Sequence, residues 1–279
     1  MTHAPPDGRS AIRPGDPAFR IAFLFHDNLE LFRRTLPRCL EALTPSSEEF
    51  EVIVHCDGTP APVAAQLPGF LEEWGVDELR VRRRGRFVAS GDGSNNGHRR
   101  LFDVRSPYLI VIEDDVVMYR TDPSFDVLSA CRRLFERHRD VPVLCKVSDH
   151  HQWSWALADE GEPIEPGVRS VNRLSTHFIG YDLRRFTNLA ERFGGFDLDV
   201  FLDRPDLSYN WEDLVSHVGT TGGRRIAFPD GWPLEVFHCD RKVDPGSMHH
   251  TQDPRVKAGV LAELEQRFRR TEESQDAAT

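Results

Sequence analysis

Residues 108–115 read YLIVIEDD, an apolar run that ends in three consecutive carboxylates. The run is apolar at successive positions rather than alternating, which is typical of a strand buried on both faces of a parallel sheet. Two similar runs lie upstream, RIAFLF at 20–25 and EVIVHC at 51–56, and polar residues follow each of them. The sequence therefore predicts several buried strands whose ends meet at one polar rim.

Strand and helix patterns alternate through the first half of the chain. This order is typical of a parallel sheet with helices on both faces. The expected strands are 20–25, 51–56, 78–82 and 108–112, and the expected helices are 29–43, 63–74 and one that ends at Val104. The predicted fold class is α/β, a single domain with a mostly parallel central sheet.

The second half is less regular. We expect helices at 123–138, 183–193, 211–218 and 254–270, and strands at 141–147, 176–180, 224–228 and 234–238. A stretch rich in glycine, proline and glutamate at 159–167 is expected to be an exposed loop. The ordered domain is predicted to span 19–271, between a disordered leader at 1–18 and a disordered tail at 272–279.

Composition excludes several classes of protein. The formal net charge is −10, which makes nucleic acid a poor candidate partner. No run approaches 18 apolar residues, so we expect no membrane span, and the first residues lack the apolar centre of a secretory signal. Five cysteines without a CxxC pair indicate buried free thiols, and we expect a cytoplasmic protein.

The triplet Glu113-Asp114-Asp115 is the first candidate site. Three adjacent carboxylates repel one another, and a divalent cation removes that cost. Oxygen ligands of this kind suit Mg²⁺ or Mn²⁺. The alternative is that the acids open a following helix, where the helix dipole favours negative charge.

Ligands of such sheets bind beyond the carboxyl ends of the strands, so polar residues at other strand ends are candidates too. Asp57 follows the second strand, in a segment that equally suits a β-turn. His238 follows the last strand and is a candidate metal ligand, with His249 and His250 as competitors. Asp213, beside Glu212 at the start of a helix, suits either capping or a general base.

In order and spacing, these residues resemble an inverting glycosyltransferase of the GT-A fold. Bacterial family 2 enzymes resemble the chain in a strand that ends in Asp-Gly-Thr and in the acidic triplet at the place of the DxD motif. They also share Gly194-Gly195-Phe196-Asp197, the acid pair 212–213 and a late histidine. The run VIEDDVV and the Trp-acid-acid motif at 211–213 resemble the N-acetylglucosaminyltransferase I group.

The resemblance implies a role for each matching residue. Asp57 would bind the nucleotide base, and Asp114 and Glu113 would contact the ribose or the donor sugar. Asp115 and His238 would ligate Mn²⁺ or Mg²⁺, and Asp213 would be the catalytic base. Residues 19–120 would form the nucleotide-sugar-binding half, and 121–271 the acceptor-binding and catalytic half. We assign Trp153, Trp211 and Glu212 to the acceptor side, because indole rings offer stacking faces for sugars.

The expected activity is transfer of a sugar from a nucleotide diphosphate donor, preferably a UDP-sugar, to the hydroxyl of a soluble acceptor such as an oligosaccharide, a peptide or a natural product. The nearest alternative is a sugar nucleotidyltransferase, which needs a glycine-rich loop directly after the first strand. That place reads FHDNLE and contains no glycine. The remaining alternative is a non-catalytic protein of this fold that binds a nucleotide or a carbohydrate.

Overall fold

The structure is a computed structural model that describes residues 16–56, 59–76, 78–81, 106–146, 161–174, 177–191, 211–239 and 266. For residues 78–81, 190–191 and 211–214 the description covers the backbone alone. The described strands are β1 Phe19–Phe25, β2 Phe50–Cys56, β3 Glu78–Val81, β4 Tyr108–Glu113, β5 Val116–Arg120, β6 Val143–Lys146, β7 Pro163–Glu165, β8 Val168–Val171, β9 Phe178–Asp182, β10 Ile226–Phe228 and β11 Leu234–His238. The described helices are α1 Leu29–Leu43, α2 Ala61–Ala64, α3 Leu67–Glu73, α4 Val127–Arg137, α5 Leu183–Glu191 and α6 Trp211–Thr220.

Nine of these strands form one sheet in the order β3-β2-β1-β4-β9-β6-β10-β8-β7. Only β9 and β8 run against the other strands of this sheet. The expected mostly parallel sheet is therefore confirmed, and the carboxyl ends of β1, β2 and β4 meet at one edge. Strands β5 and β11 form a separate antiparallel pair.

Helices cover both faces of the large sheet, as predicted. One core cluster includes Phe32 and Leu36 of α1, Leu67 of α3 and Phe135 of α4. The cluster on the opposite face includes residues of α5 and α6, among them Phe186 of α5. All five cysteines are buried and free, which confirms that prediction.

The structure differs from the predicted elements in three places. The single helix expected at 63–74 is two short helices, α2 and α3, and the second has a proline in its first turn, where the missing N–H costs little. The loop expected at 159–167 contains β7, which pairs with β8 in a hairpin. The acidic triplet leads into strand β5 rather than a helix, so the helix-start interpretation of these acids is wrong.

Several predicted segments lie outside the described residues. They are the helix that ends at Val104, the helix at 254–270 apart from Gln266, the tail, and the leader up to residue 15. In the part of the chain that the structure describes, no helix is long and apolar enough to cross a membrane.

Candidate metal and donor site at the carboxyl edge of the sheet

Glu113 is the last residue of β4 and lies where two parallel strands and one antiparallel strand meet. It pairs with Leu24 of β1 on one side. On the other side Ile112 pairs with Phe178 of β9, so the next antiparallel position places Glu113 opposite His177. Because side chains alternate along a strand, Glu113 belongs to the same face as Val111, which is the face covered by α5 and α6.

A second element, β11, brings His238 to the same place. Glu113, His177 and His238 each offer one potential ligand atom, and these atoms lie within 4.8 Å of one another. The rings of His177 and His238 are stacked, with centroids 4.4 Å apart and planes inclined by 17°. His177 is only 2% exposed. Neither its place beside Glu113 nor its stack on His238 was predicted from the sequence.

Asp115 approaches His238 from the turn between β4 and β5. Its Oδ2 lies 3.0 Å from His238 Nε2, and the two side chains are 24% and 6% exposed. The β5–β11 ladder sets this contact, because His238 pairs with Val116 and the Cys239 N–H donates to the Asp115 carbonyl at 2.7 Å. The structure thus brings together the two residues that the sequence suggested as metal ligands.

Asp114, the middle acid, is engaged on the other side of the turn. Its Oδ2 accepts a hydrogen bond of 2.9 Å from the His26 N–H at the end of β1. Its carbonyl accepts from the Thr35 hydroxyl of α1 at 2.6 Å, and its N–H donates to the Leu24 carbonyl. Burial, followed by the nearby charge of Asp115, raises the pKa of Asp114 to about 8 against the opposing effect of the His26 bond. The triplet therefore divides, with its two outer acids near His238 and its middle acid bound to β1.

The donor set fits a divalent metal ion. Carboxylates are ligands for Mg²⁺ and Mn²⁺, and imidazole favours first-row transition ions over Mg²⁺. Glu113, Asp115 and His238 supply both kinds of donor within a few ångströms. A dication here would also offset the repulsion between the carboxylates.

Helix α6 begins at Trp211, at the predicted start, and lies on the same face as Glu113 and His177. Its Val215 and Val218 pack in the cluster that contains Val111. Its Ser216 hydroxyl accepts a hydrogen bond of 3.0 Å from the Leu174 N–H, three residues before His177. The backbone of α6 is thereby tied to the segment that leads into the histidine cluster.

The remaining predicted site residues are not placed by side chain. Asp57, Trp153, His249 and His250 lie outside the described residues, and Trp211, Glu212 and Asp213 are described as helical backbone only. Cys56, the last residue of β2, pairs with Phe25 at the end of β1. Asp57 therefore follows a strand that ends at the same edge as the acidic triplet.

Comparison with solved structures shows what the fold is similar to. The complex of S. aureus TarS with UDP-GlcNAc matches with a TM-score of 0.50 and 14% identity, over 84% of this chain and 61% of that chain. GalNAc-T7 with UDP, GalNAc and Mn²⁺ matches with a TM-score of 0.53 and 10% identity, over 81% of this chain and 44% of that one. This chain thus spans less than two thirds of the length of either structure. No protein-family model and no curated protein matches the sequence.

At these identities the likeness shows the fold alone. Both solved structures are glycosyltransferases of the GT-A fold, so this chain has a GT-A fold. The fold predicted from the order of the motifs is therefore confirmed.

Proposed function

We propose that this protein is a metal-dependent inverting glycosyltransferase that moves a hexosyl group from a UDP-sugar to the hydroxyl of a soluble acceptor in the cytoplasm. The observation that carries this proposal is the contact of His238 with Asp115, beside Glu113, at the carboxyl edge of a GT-A sheet. Ligands of open α/β sheets bind at this edge.

The donor is proposed to lie across the ends of β1, β2 and β4. Asp57 binds the nucleotide base, and Glu113 and Asp114 contact the ribose or the donor sugar. Support for this arrangement comes from the parallel pairing of β1 with both β2 and β4, which brings their carboxyl ends together. The His26 N–H fixes the Asp114 carboxyl at the end of β1, next to the proposed base pocket.

Asp115 and His238 are the proposed protein ligands of a divalent metal, Mn²⁺ by preference and Mg²⁺ as the alternative. When bound, such an ion neutralises negative charge on the diphosphate leaving group as a Lewis acid. Their contact at 3.0 Å and their low exposure support the assignment, since a nearly buried imidazole beside a carboxylate is a common metal-binding arrangement.

Asp213 is the proposed general base. The acceptor oxygen forms a bond to the anomeric carbon while the bond from that carbon to the diphosphate oxygen breaks, and the acceptor proton passes to the Asp213 carboxylate. The acceptor attacks from the face opposite the leaving group, so the configuration inverts. The tie between Ser216 and Leu174 supports this role, because it holds α6 on the face of the sheet that carries Glu113 and His177.

The acceptor side is proposed to include Trp153, Trp211 and Glu212. Trp211 and Glu212 open the same helix as Asp213, which supports a common location. An oligosaccharide, a peptide or a natural product with a free hydroxyl is the proposed class of acceptor.

The connection between β1 and α1 disfavours a sugar nucleotidyltransferase. Only residues 26–28 separate the two elements, and Asn28 caps the helix by accepting from the Leu31 N–H at 3.1 Å. A triphosphate needs a glycine-rich loop whose N–H groups surround it. This short connection has no glycine and no room for such a loop.

A thermal-shift panel of nucleotides and nucleotide sugars, with Mn²⁺ or with EDTA, tests the proposal. A ligand at 100 times its Kd stabilises the native state by about 2.7 kcal/mol. We expect UDP or a UDP-sugar to raise the melting temperature with Mn²⁺ and much less with EDTA, and the stabilising UDP-sugar to be slowly hydrolysed. If no nucleoside diphosphate gives a metal-dependent shift, the proposal is wrong. A shift without hydrolysis or transfer would favour a non-catalytic binding protein.

A further inference from the structure

His177 is a buried polar residue at the candidate site that the proposed reaction does not use. It lies one residue before β9, opposite Glu113, and its ring stacks on the ring of His238. From this geometry we infer that His177 is a positioning residue: it fixes the ring of His238 for metal binding without ligating the ion itself. The inference deepens the proposed function and rests on it for the role of the ion.

The orientation of the two rings separates positioning from ligation. An imidazole nitrogen binds a metal along its lone pair, which lies in the plane of the ring. The planes of His177 and His238 are inclined by only 17° and their centroids are 4.4 Å apart, so their lone pairs run in nearly parallel planes. One ion cannot lie close to both planes unless a ring turns. The nearness of the two nitrogens alone, within 4.8 Å, is therefore not enough for shared ligation.

His238 is the ring that faces the second ligand. Its Nε2 lies 3.0 Å from Asp115 Oδ2, whereas the cluster places His177 on the side of Glu113. His177 itself is anchored, because it is 2% exposed and lies between β9 and the segment held by Ser216 of α6. A buried, anchored ring can hold its stacked neighbour in one rotamer.

Positioning groups of this kind have measurable effects on metal affinity. Removing a residue that orients a ligand typically weakens metal binding on the order of 10- to 100-fold. If the stacking face is what matters, a flat ring without nitrogen should replace His177. If a nitrogen is what matters, it should not.

The test uses the full chain with Mn²⁺ as the probe, with and without UDP. Mn²⁺ affinity is measured by electron paramagnetic resonance, and the number of coordinated nitrogens by electron spin echo envelope modulation. The variants are His177→Phe, which keeps a flat ring, and His177→Ala, which removes it. His55→Phe is the matched control, because His55 is also 2% exposed and lies on β2, two strands from Glu113.

We expect one coordinated imidazole nitrogen in the wild type and in His177→Phe, with Mn²⁺ affinities within about threefold of each other. His177→Ala should lose on the order of tenfold or more in Mn²⁺ affinity, and His55→Phe should match the wild type. Two coordinated nitrogens in the wild type, one of them lost in His177→Phe, would make His177 a ligand and overturn the inference. Unchanged Mn²⁺ affinity in a folded His177→Ala would overturn it as well.

Two safeguards keep the result interpretable. If His177→Ala does not fold, the nitrogen count of the wild type and the affinity of His177→Phe still decide between ligation and positioning. If the wild type binds Mn²⁺ through one nitrogen but no nucleotide binds, the proposed glycosyltransferase function fails and the positioning role stands. If the wild type binds no Mn²⁺ under either condition, both are wrong.

Discussion

His238 Nε2 lies 3.0 Å from Asp115 Oδ2, and a two-stranded ladder outside the main sheet sets that distance. The ladder pairs His238 with Val116 directly after the acidic turn. Thr35 and Cys39 of α1 hold the same turn from behind, through hydrogen bonds to the carbonyls of Asp114 and Val116. The candidate ligand pair is therefore positioned by backbone bonds and needs no metal to form.

We expect His238→Ala to remove the Mn²⁺-dependent part of the melting-temperature shift that UDP produces, because the imidazole is a proposed metal ligand. The drop in Mn²⁺ affinity should be at least ~10-fold. The backbone bonds of β11 do not use this side chain, so the variant should still fold. The controls are His249→Ala and His250→Ala, which should keep the shift. An intact Mn²⁺-dependent shift in His238→Ala, with its loss in either control, would move the ligand role to that residue.

The acidic triplet and His238 could be predicted because they are local signals, polar residues that follow short apolar strands. His177 could not be singled out in this way. It precedes an apolar strand rather than following one, and its partner depends on β9 inserting antiparallel between β4 and β6. That strand order is set by long-range packing and is not visible in the local pattern.

Strand β5 carried a local signal that favoured the structure observed. Val116 and Met118 alternate with Val117 and Tyr119, and the two pairs belong to different apolar clusters. Branched residues at a period of two are typical of a strand. The acids before them also suit the first turn of a helix, and this competing signal hid the strand.

Asp126 is predicted to stabilise the fold through its ionised form. It caps α4 by accepting from the Ser129 N–H at 2.9 Å, and it accepts from Ser47 N–H at 2.8 Å and from the Ser46 hydroxyl at 2.8 Å. Burial acts to raise the pKa of Asp126, but these hydrogen bonds outweigh it and lower the pKa to about 2. The carboxylate therefore stabilises the fold above the pKa of about 3.9 that Asp has in an unfolded chain, and this contribution is lost as the pH falls towards 2.

Asp126→Ala should lower the free energy of unfolding by about 1–2 kcal/mol at pH 7, the range for loss of a helix cap. The difference from the wild type should shrink between about pH 4 and pH 2. Urea unfolding across this range measures both effects. A difference that is constant with pH would show that the charge of Asp126 does not contribute.

Gly180 on β9 is predicted to be required for close strand packing. A Cβ at this position would lie 2.9 Å from Leu144 Cγ and 3.2 Å from Ile110 Cδ1, on strands β6 and β4. Gly180→Ala should therefore lower the free energy of unfolding by about 1–3 kcal/mol, as overpacking of a core does. Gly69→Ala in α3 is the matched control, because nothing lies within 4 Å of its Cβ and alanine favours a helix by about 0.5–1 kcal/mol. Equal stability of the two variants in urea would contradict the packing argument.

Asp213→Asn is predicted to reduce turnover while leaving donor binding intact. The amide keeps the shape of the side chain but cannot accept the acceptor proton, and loss of a general base costs on the order of 10²–10⁴-fold. UDP-sugar affinity should persist, because Asp115 and His238 are unchanged. Glu212→Gln is the matched control: successive residues of α6 point about 100° apart, so the two acids cannot face the same hydroxyl. Single-turnover transfer, with donor affinity measured in parallel, separates chemistry from binding. Near-normal turnover in Asp213→Asn, with a large loss in Glu212→Gln, would assign the base to Glu212.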